Sequence, residues 1–278
     1  MGSKKKGDEV ATIDNTNALA NIDFGEHTGV GTQNMTSADQ AIPFLSLLQA
    51  LSKCISDPAK KVEGAAAGMI MNSVSKELYS GEEGVAFIPC NTTRCFIEWE
   101  GAAGSGTPVN RYSPNDPVVI AAQRKFAFNE LKAPSGNKIE ETFLVVGVIL
   151  DDDMTAMGFA TVSFASTKIK AYKESIGELR KVPGNPPLYA FPLRLTSKSE
   201  TRPSGTSYNF VLKPLGYTGD VFKDGIANSV ILPDSDAGKV LYPVCKQIAD
   251  DFDSGAVKLD YESNSDSAGG GGSEDEPY

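Results

Sequence analysis

The sequence predicts a mainly β (α+β) fold, a small barrel with a few peripheral helices between disordered termini. Three observations predict it. Short apolar runs recur at the close spacing of antiparallel strands, bounded by Gly, Pro, Asn or Asp. Two of these runs, Thr142 to Leu150 and Thr155 to Ala165, flank Asp151-Asp152-Asp153, a turn signal that makes them the clearest hairpin in the chain. Helical periodicity is confined to a few stretches, and one of these falls late among the strands with more strands after it.

Residues 1–40 are polar, rich in Gly, Asn, Thr and Asp, and read as a largely disordered arm. From Ala41 to Cys54 the spacing of Leu45, Leu48 and Leu51, or of Leu47 and Leu51, predicts a short helix with Pro43 in its first turn. Gly68 to Asn72, Gly84 to Pro89 and Arg94 to Trp99 read as strands, the first two joined by a polar connector containing Gly81. Residues 101–117 are rich in Gly and Pro and read as a surface loop. After the hairpin, Ser166 caps a helix whose apolar stripe is Ile169, Tyr172, Ile176 and Leu179. Pro183, Pro186 and Pro187 end it. Leu188 to Thr196 and Ser207 to Lys213 make two more strands, joined by a basic connector. A last helix runs from Ala237 to about Phe252, with Val240, Leu241, Val244, Ile248 and Phe252 facing inward. This order suits an elaborated oligonucleotide-binding-like barrel over residues 41–255, with an added N-terminal subdomain left open. An α+β sandwich is the alternative.

At 278 residues the chain can bury a real core. No apolar run approaches the ~20 residues needed to span a bilayer, so a soluble, cytoplasmic protein with no membrane partner is expected. Cys54, Cys90, Cys95 and Cys245 are too few and too scattered for a disulfide framework, which also points to a reducing compartment. The net charge of −10 conceals an asymmetry. Residues 166–213 hold 9 basic and 3 acidic side chains, whereas residues 214–278 hold 4 basic and 13 acidic ones. A basic island inside an acidic protein is a candidate for binding an anion, and an acidic tail on the same chain can cover it.

Catalytic signals are weak, and no enzyme is expected. His27 is the only histidine and lies in the polar arm. Cys90 and Cys95 have no second close pair to complete a zinc site, and Asp151-Asp152-Asp153 reads as a solvated turn before it reads as a cation site. Gly101-Ala102-Ala103-Gly104-Ser105-Gly106 lacks the lysine of a phosphate-binding loop. No cofactor or metal is expected.

Binding signals are stronger. The basic island interleaves Lys168, Lys170, Lys173, Arg180, Lys181, Arg194, Lys198 and Arg202 with aromatic residues. A non-specific single-strand binder needs both kinds, because cations track phosphates while ring faces stack on bases of any identity. Tyr189, Phe191, Tyr208 and Trp99 are the stacking candidates, although strand alternation requires part of this aromatic set for the core. Arg94, Arg111, Arg124 and Lys125 are candidates to extend the cationic groove.

The chain ends in a glycine spacer, Gly269 to Gly272, followed by Ser273-Glu274-Asp275-Glu276-Pro277-Tyr278. Four glycines hold no fixed conformation and three adjacent carboxylates repel in compact packing, so residues 256–278 read as a flexible acidic tail that presents Glu274, Asp275, Glu276, Pro277 and Tyr278 to a basic partner. Taken with Ser166-Thr167-Lys168-Ile169-Lys170, Phe191-Pro192-Leu193-Arg194-Leu195-Thr196, Ala41-Ile42-Pro43-Phe44-Leu45 and Phe87-Ile88-Pro89, this tail resembles those of bacterial and bacteriophage single-stranded DNA-binding proteins, with Tyr278 where phenylalanine is usual. The resemblance implies a protein of phage replication, recombination or repair in the host cytoplasm. It would coat single-stranded DNA without sequence preference and recruit replication or recombination proteins through its tail, which would also compete with DNA for the groove. Two other readings stay open: a recombination annealing protein that forms homo-oligomers on DNA, and a virion or host-interaction protein that binds no DNA.

Overall fold

The computed structural model describes residues 42–101, 107–202, 205–215, 229–255 and 259, with the side chains of Asn129 and Arg202 outside that set. All described residues belong to one compact unit, Ser37–Tyr278. The arm 1–40 and the tail beyond Leu259 lie outside the described residues.

Two antiparallel sheets and, among the described residues, four helices make the fold mainly β. The small sheet is β1 (Leu45–Leu47), β2 (Ile70–Asn72) and β3 (Leu78–Tyr79), in that order. The large one contains β4 (Val85–Glu100), β5 (Thr107–Tyr112), β6 (Lys138–Leu150), β7 (Ala156–Ala165), β8 (Leu193–Arg202) and β9 (Gly205–Pro214). Its order is β7-β6-β4-β8-β9, with β5 pairing the far end of β4. The helices are α1 (Lys53–Ser56), α2 (Pro117–Lys125), α3 (Lys168–Leu179) and α4 (Asp236–Asp253).

The hairpin expected around Asp151-Asp152-Asp153 is β6–β7, and the first of its acids braces the turn. Asp151 Oδ1 accepts from the backbone N–H of Asp153 and of Thr155 at 3.0 and 2.7 Å. β6 is apolar on both faces because both faces are covered. Val145 and Ile149 point into a central core with Phe87, Phe164, Tyr172, Ile176, Leu195 and Phe210. Val146 and Val148 point into a second core with Ile88, Leu241, Cys245 and Ile248, roofed by α4.

The two sheets do not close into a barrel. The outer strands β7 and β9 are joined by no ladder, but the space between them is filled. α3 plugs it with Tyr172, which lies 5.3 Å from the Phe164 ring, and Phe164 in turn lies 5.6 Å from Phe210. β1 spans the same opening. Thr161 N–H of β7 donates to Pro43 O at 2.8 Å, and the Gln49 amide exchanges two 2.9 Å hydrogen bonds with the backbone of Tyr208 on β9.

Four expectations are corrected here. The segment Ala41 to Cys54 is not a helix: Phe44, Leu45, Leu47 and Leu48 are all buried, on both sides of a short strand, with only Lys53–Ser56 helical. The two strands expected at Gly84 to Pro89 and Arg94 to Trp99 are one strand, β4, with a register shift between Pro89, opposite Gly147, and Asn91, opposite Val146, that leaves Cys90 as the extra residue. The expected loop 101–117 contains β5, where Pro108 is tolerated because β5 lies at a sheet edge. Finally, Leu188 to Ala190 forms a 3-10 turn, β8 begins only at Leu193, and the expected basic connector is strand as far as Arg202.

Candidate nucleic-acid interface

The β8–β9 hairpin pairs Ser197 with Phe210, Lys198 with Asn209 and Ser199 with Tyr208. Where the small sheet meets this hairpin, a cleft of about 610 Å³ opens, lined by Gly68, Gly81, Ser197, Lys198, Tyr208 and Lys213 among others. The Tyr208 ring is half-buried in its wall and its backbone is held by the Gln49 amide on both sides. Two glycines make the ring's position possible. Gly68 has φ +90°, and a Cβ there would stand 2.5 Å from Tyr208 Cε1; a Cβ on Gly81 would stand 2.1 Å from Gly68 O. Ser197 ties the two glycines to β8, its hydroxyl donating to Gly68 O at 2.6 Å and its N–H to Gly81 O at 2.7 Å.

Lys198 and Lys213 supply positive charge on the cleft. The Lys198 side chain is 58 % exposed and lies 3.2 Å from Glu200, and Lys213 is exposed opposite Arg194. Arg194 lies 3.9 Å from Asp152 and donates to Glu83 O at 3.4 Å. Farther round, α3 carries the other cations. Lys170 sits 3.9 Å from Glu174, Lys181 is 2.5 Å from Glu178, and Arg180 is exposed. Lys173 lies over the Phe143 ring and 3.7 Å from the buried Glu141, which Arg94 also holds at 2.5 Å. Lys168 is half-buried over Phe210; burial pushes its ammonium pKa down, opposed by Glu140. Most of these cations thus have a carboxylate neighbour. The exposed pairs, those of Lys170, Lys181, Lys198 and Arg194, contribute about 0–1 kcal/mol each, so exchanging their carboxylate for a phosphate costs little, whereas Arg94 and Lys173 compensate the buried Glu141.

Among the four stacking candidates, the rings divide. Phe191 (2 % exposed) and Trp99 (7 %) are core rings, which corrects both expectations. The 3-10 turn breaks the alternation assumed from Leu188 onward and delivers Phe191 to the central core, while Trp99 packs with Cys95, Ile97 and Leu144 beneath Phe44. Tyr189 is half-buried, edge-on to Tyr242 with ring centroids 5.0 Å apart, against the second core. Tyr208 alone of the four borders the cleft. The structure therefore brings Tyr208 and Lys198 to one cleft, sets Lys198 also in a groove against α3 at Glu174 and Glu178, and adds Gln49, Gly68, Gly81 and Lys213, which sequence reasoning did not place in the site. The glycines were visible only as turn signals, because the ring they admit lies far away in the chain. The Arg202 side chain and Glu274, Asp275, Glu276, Pro277 and Tyr278 lie outside the described residues.

A second polar centre differs in kind. Glu98 on β4 is 3 % exposed, and its carboxylate accepts from Ser135 and Tyr112 at 2.5 Å and from Asn110 and Asn137 at 2.9 Å. Burial pushes its pKa up, but the four hydrogen bonds outweigh that and hold it at about 2. Those donors come from β5 and from the turn before β6, so Glu98 fastens the β5–α2 excursion to the sheet. Cys90 and Cys95 point into different cores and do not form a common ligand set.

Among the described residues no helix is long and apolar enough to cross a membrane. No curated protein and no solved structure matches the chain. One family model, described as Pam3 phage gp34-like protein, matches residues 13–258, most of the length, and the chain accordingly belongs to the Pam3 phage gp34-like family of phage proteins.

Proposed function

We propose that this protein binds single-stranded DNA during phage replication or recombination, coating exposed strands without sequence preference in the host cytoplasm and catalysing no reaction. The observation that carries the reading is the cleft between the small sheet and the β8–β9 hairpin. There one aromatic ring, Tyr208, packed against Gly68, shares the lining of an open cleft with Lys198 and Lys213. A stacked base is worth about 1–3 kcal/mol on such a ring, and the lysines track the flanking phosphates. The cations of α3 extend the track beyond the cleft. Membership of a phage family fits this role, as does the acidic tip Glu274-Asp275-Glu276-Pro277-Tyr278, which would recruit replication or recombination proteins and compete for the cations. Competition is physically reasonable, since a short tether keeps the tip at an effective concentration of about millimolar.

The test is fluorescence anisotropy with a labelled oligo-dT across a salt series, using the full chain and a chain ending at Ala268. Binding that falls steeply with salt, and is tighter for the shortened chain, supports both the cationic track and the competing tail. Absence of binding by either form at low salt removes the reading and favours a virion or host-interaction role.

A further inference from the structure

β9 is an outer strand of the large sheet, and its free edge is guarded at both ends but not between them. In an antiparallel ladder alternate residues turn their N–H and C=O away from the neighbouring strand. On β9 these residues are Tyr208, Phe210, Leu212 and Pro214. Two contacts fix that parity. Tyr208 exchanges both of its backbone hydrogen bonds with the Gln49 amide, and Ser197, opposite Phe210, donates its N–H away from β9 to Gly81 O. Gln49 thus caps one end of the edge by standing in for a single peptide unit of an added strand. Pro214 guards the other end, because it has no N–H to offer. Between them, Phe210 and Leu212 have no backbone partner on that side among the described residues.

The open stretch borders a groove of about 550 Å³ between β9 and α3, lined by Glu174, Ser175 and Glu178 on the helix side and by Phe210, Leu212 and Lys198 on the sheet side. α3 touches β9 at its start, where Thr167 Oγ1 donates to Asn209 Oδ1 at 3.0 Å, and the groove lies beyond that contact. Its helical wall is acidic. Glu174 and Glu178 stand one turn apart, with side chains 63 % and 32 % exposed. Their partners Lys170 and Lys181 are exposed residues of α3 itself, and such pairs exchange at small cost.

We infer that this groove takes an extended peptide segment of a partner protein as an added strand on β9, with a Lys or Arg of that segment against Glu174 and Glu178. Main-chain hydrogen bonds to Phe210 and Leu212 attach the segment, and the two carboxylates select its side chain. The helix on the far side bars the edge of a second sheet, so a single segment is the occupant. The acidic tip Glu274-Asp275-Glu276 of this chain has the wrong charge for that wall. The inference stands apart from single-strand binding and needs no DNA to be tested.

The test uses the full-length protein to select from a displayed library of random seven-residue peptides, and the enriched sequences are then synthesised. They are expected to carry Lys or Arg, and to bind a Glu174→Gln, Glu178→Gln double variant about fivefold more weakly. Both substitutions lie on the helix surface, so the variant keeps the fold. N-methylation of the peptide at alternate residues should weaken binding about 3- to 10-fold for each donor removed, and at the intervening residues it should not. In the complex the amides of Phe210 and Leu212 should gain protection from hydrogen exchange. The inference is overturned if selection enriches nothing, if the enriched peptides bind both proteins equally, or if the effect of N-methylation has no period of two.

Discussion

The Glu98 centre and the Tyr208 cleft are both polar, yet they do opposite things with polarity. At Glu98 one carboxylate is removed from water and saturated: two oxygens accept from four neutral donors. At the cleft, Lys198 and Lys213 keep their ammonium groups in solvent and the Tyr208 ring is only half covered. A saturated group has nothing left to offer a ligand, so its worth appears as stability. A group with spare capacity contributes little to folding and holds it for a partner.

Substitutions should separate the two regions. Glu98→Ala leaves Asn110, Tyr112, Ser135 and Asn137 facing a void and should cost on the order of 3–5 kcal/mol in urea unfolding. Oligo-dT affinity of the folded protein should stay within about twofold, because the centre is not part of the cleft. Acid acts on the same group. The Glu98 carboxyl lies at about 2 in the fold against an ordinary 4.5, so its contribution is complete above about pH 5 and is lost as pH falls towards 2. Linkage puts the loss at roughly 3 kcal/mol. A Glu98→Gln protein should show a flatter Tm profile over that window; an unchanged acid limb would mean that other carboxylates control it.

The cleft should respond the other way round. Tyr208→Ala is expected to weaken oligo-dT binding by about 5- to 100-fold, the equivalent of one stacked base, with urea stability lowered by less than Glu98→Ala lowers it. Smallest of all, Lys198→Ala and Lys213→Ala should each weaken binding several-fold at low salt and reduce the slope of log affinity against log salt by about 0.7. A substitution that changes affinity at every salt concentration equally would place that lysine off the phosphate track.

How much of this was legible beforehand follows from which contacts are local. The β6–β7 hairpin and the α3 stripe were readable because turn residues and periodicity lie within one segment. The run from Phe44 to Leu48 misled because it is apolar on every side, and periodicity cannot separate a doubly buried strand from a helix. Helix α2 went unread although Asp116 caps it, accepting from Val118 N–H at 2.8 Å, with Pro117 at the first helical position. Phe191 misled because a single 3-10 turn resets strand parity, whereas Trp99 misled because both faces of β4 are covered there, with Phe96 in one core and Trp99 in another. Tyr208 was a stacking candidate for the right reason, but the site around it was not visible: Gly68 and Gln49 meet it from the far end of the chain, and no local pattern encodes that meeting.

The most direct test of the central claim is ultraviolet crosslinking of oligo-dT to the full chain at low salt, followed by mass mapping of the modified peptides. The expected result is a crosslink at Tyr208 or its neighbours on β9, lost in Tyr208→Ala and suppressed by high salt. Crosslinks confined to the β5–α2 excursion or to α4, with β9 unmodified, would contradict the cleft as the place where a single strand lies.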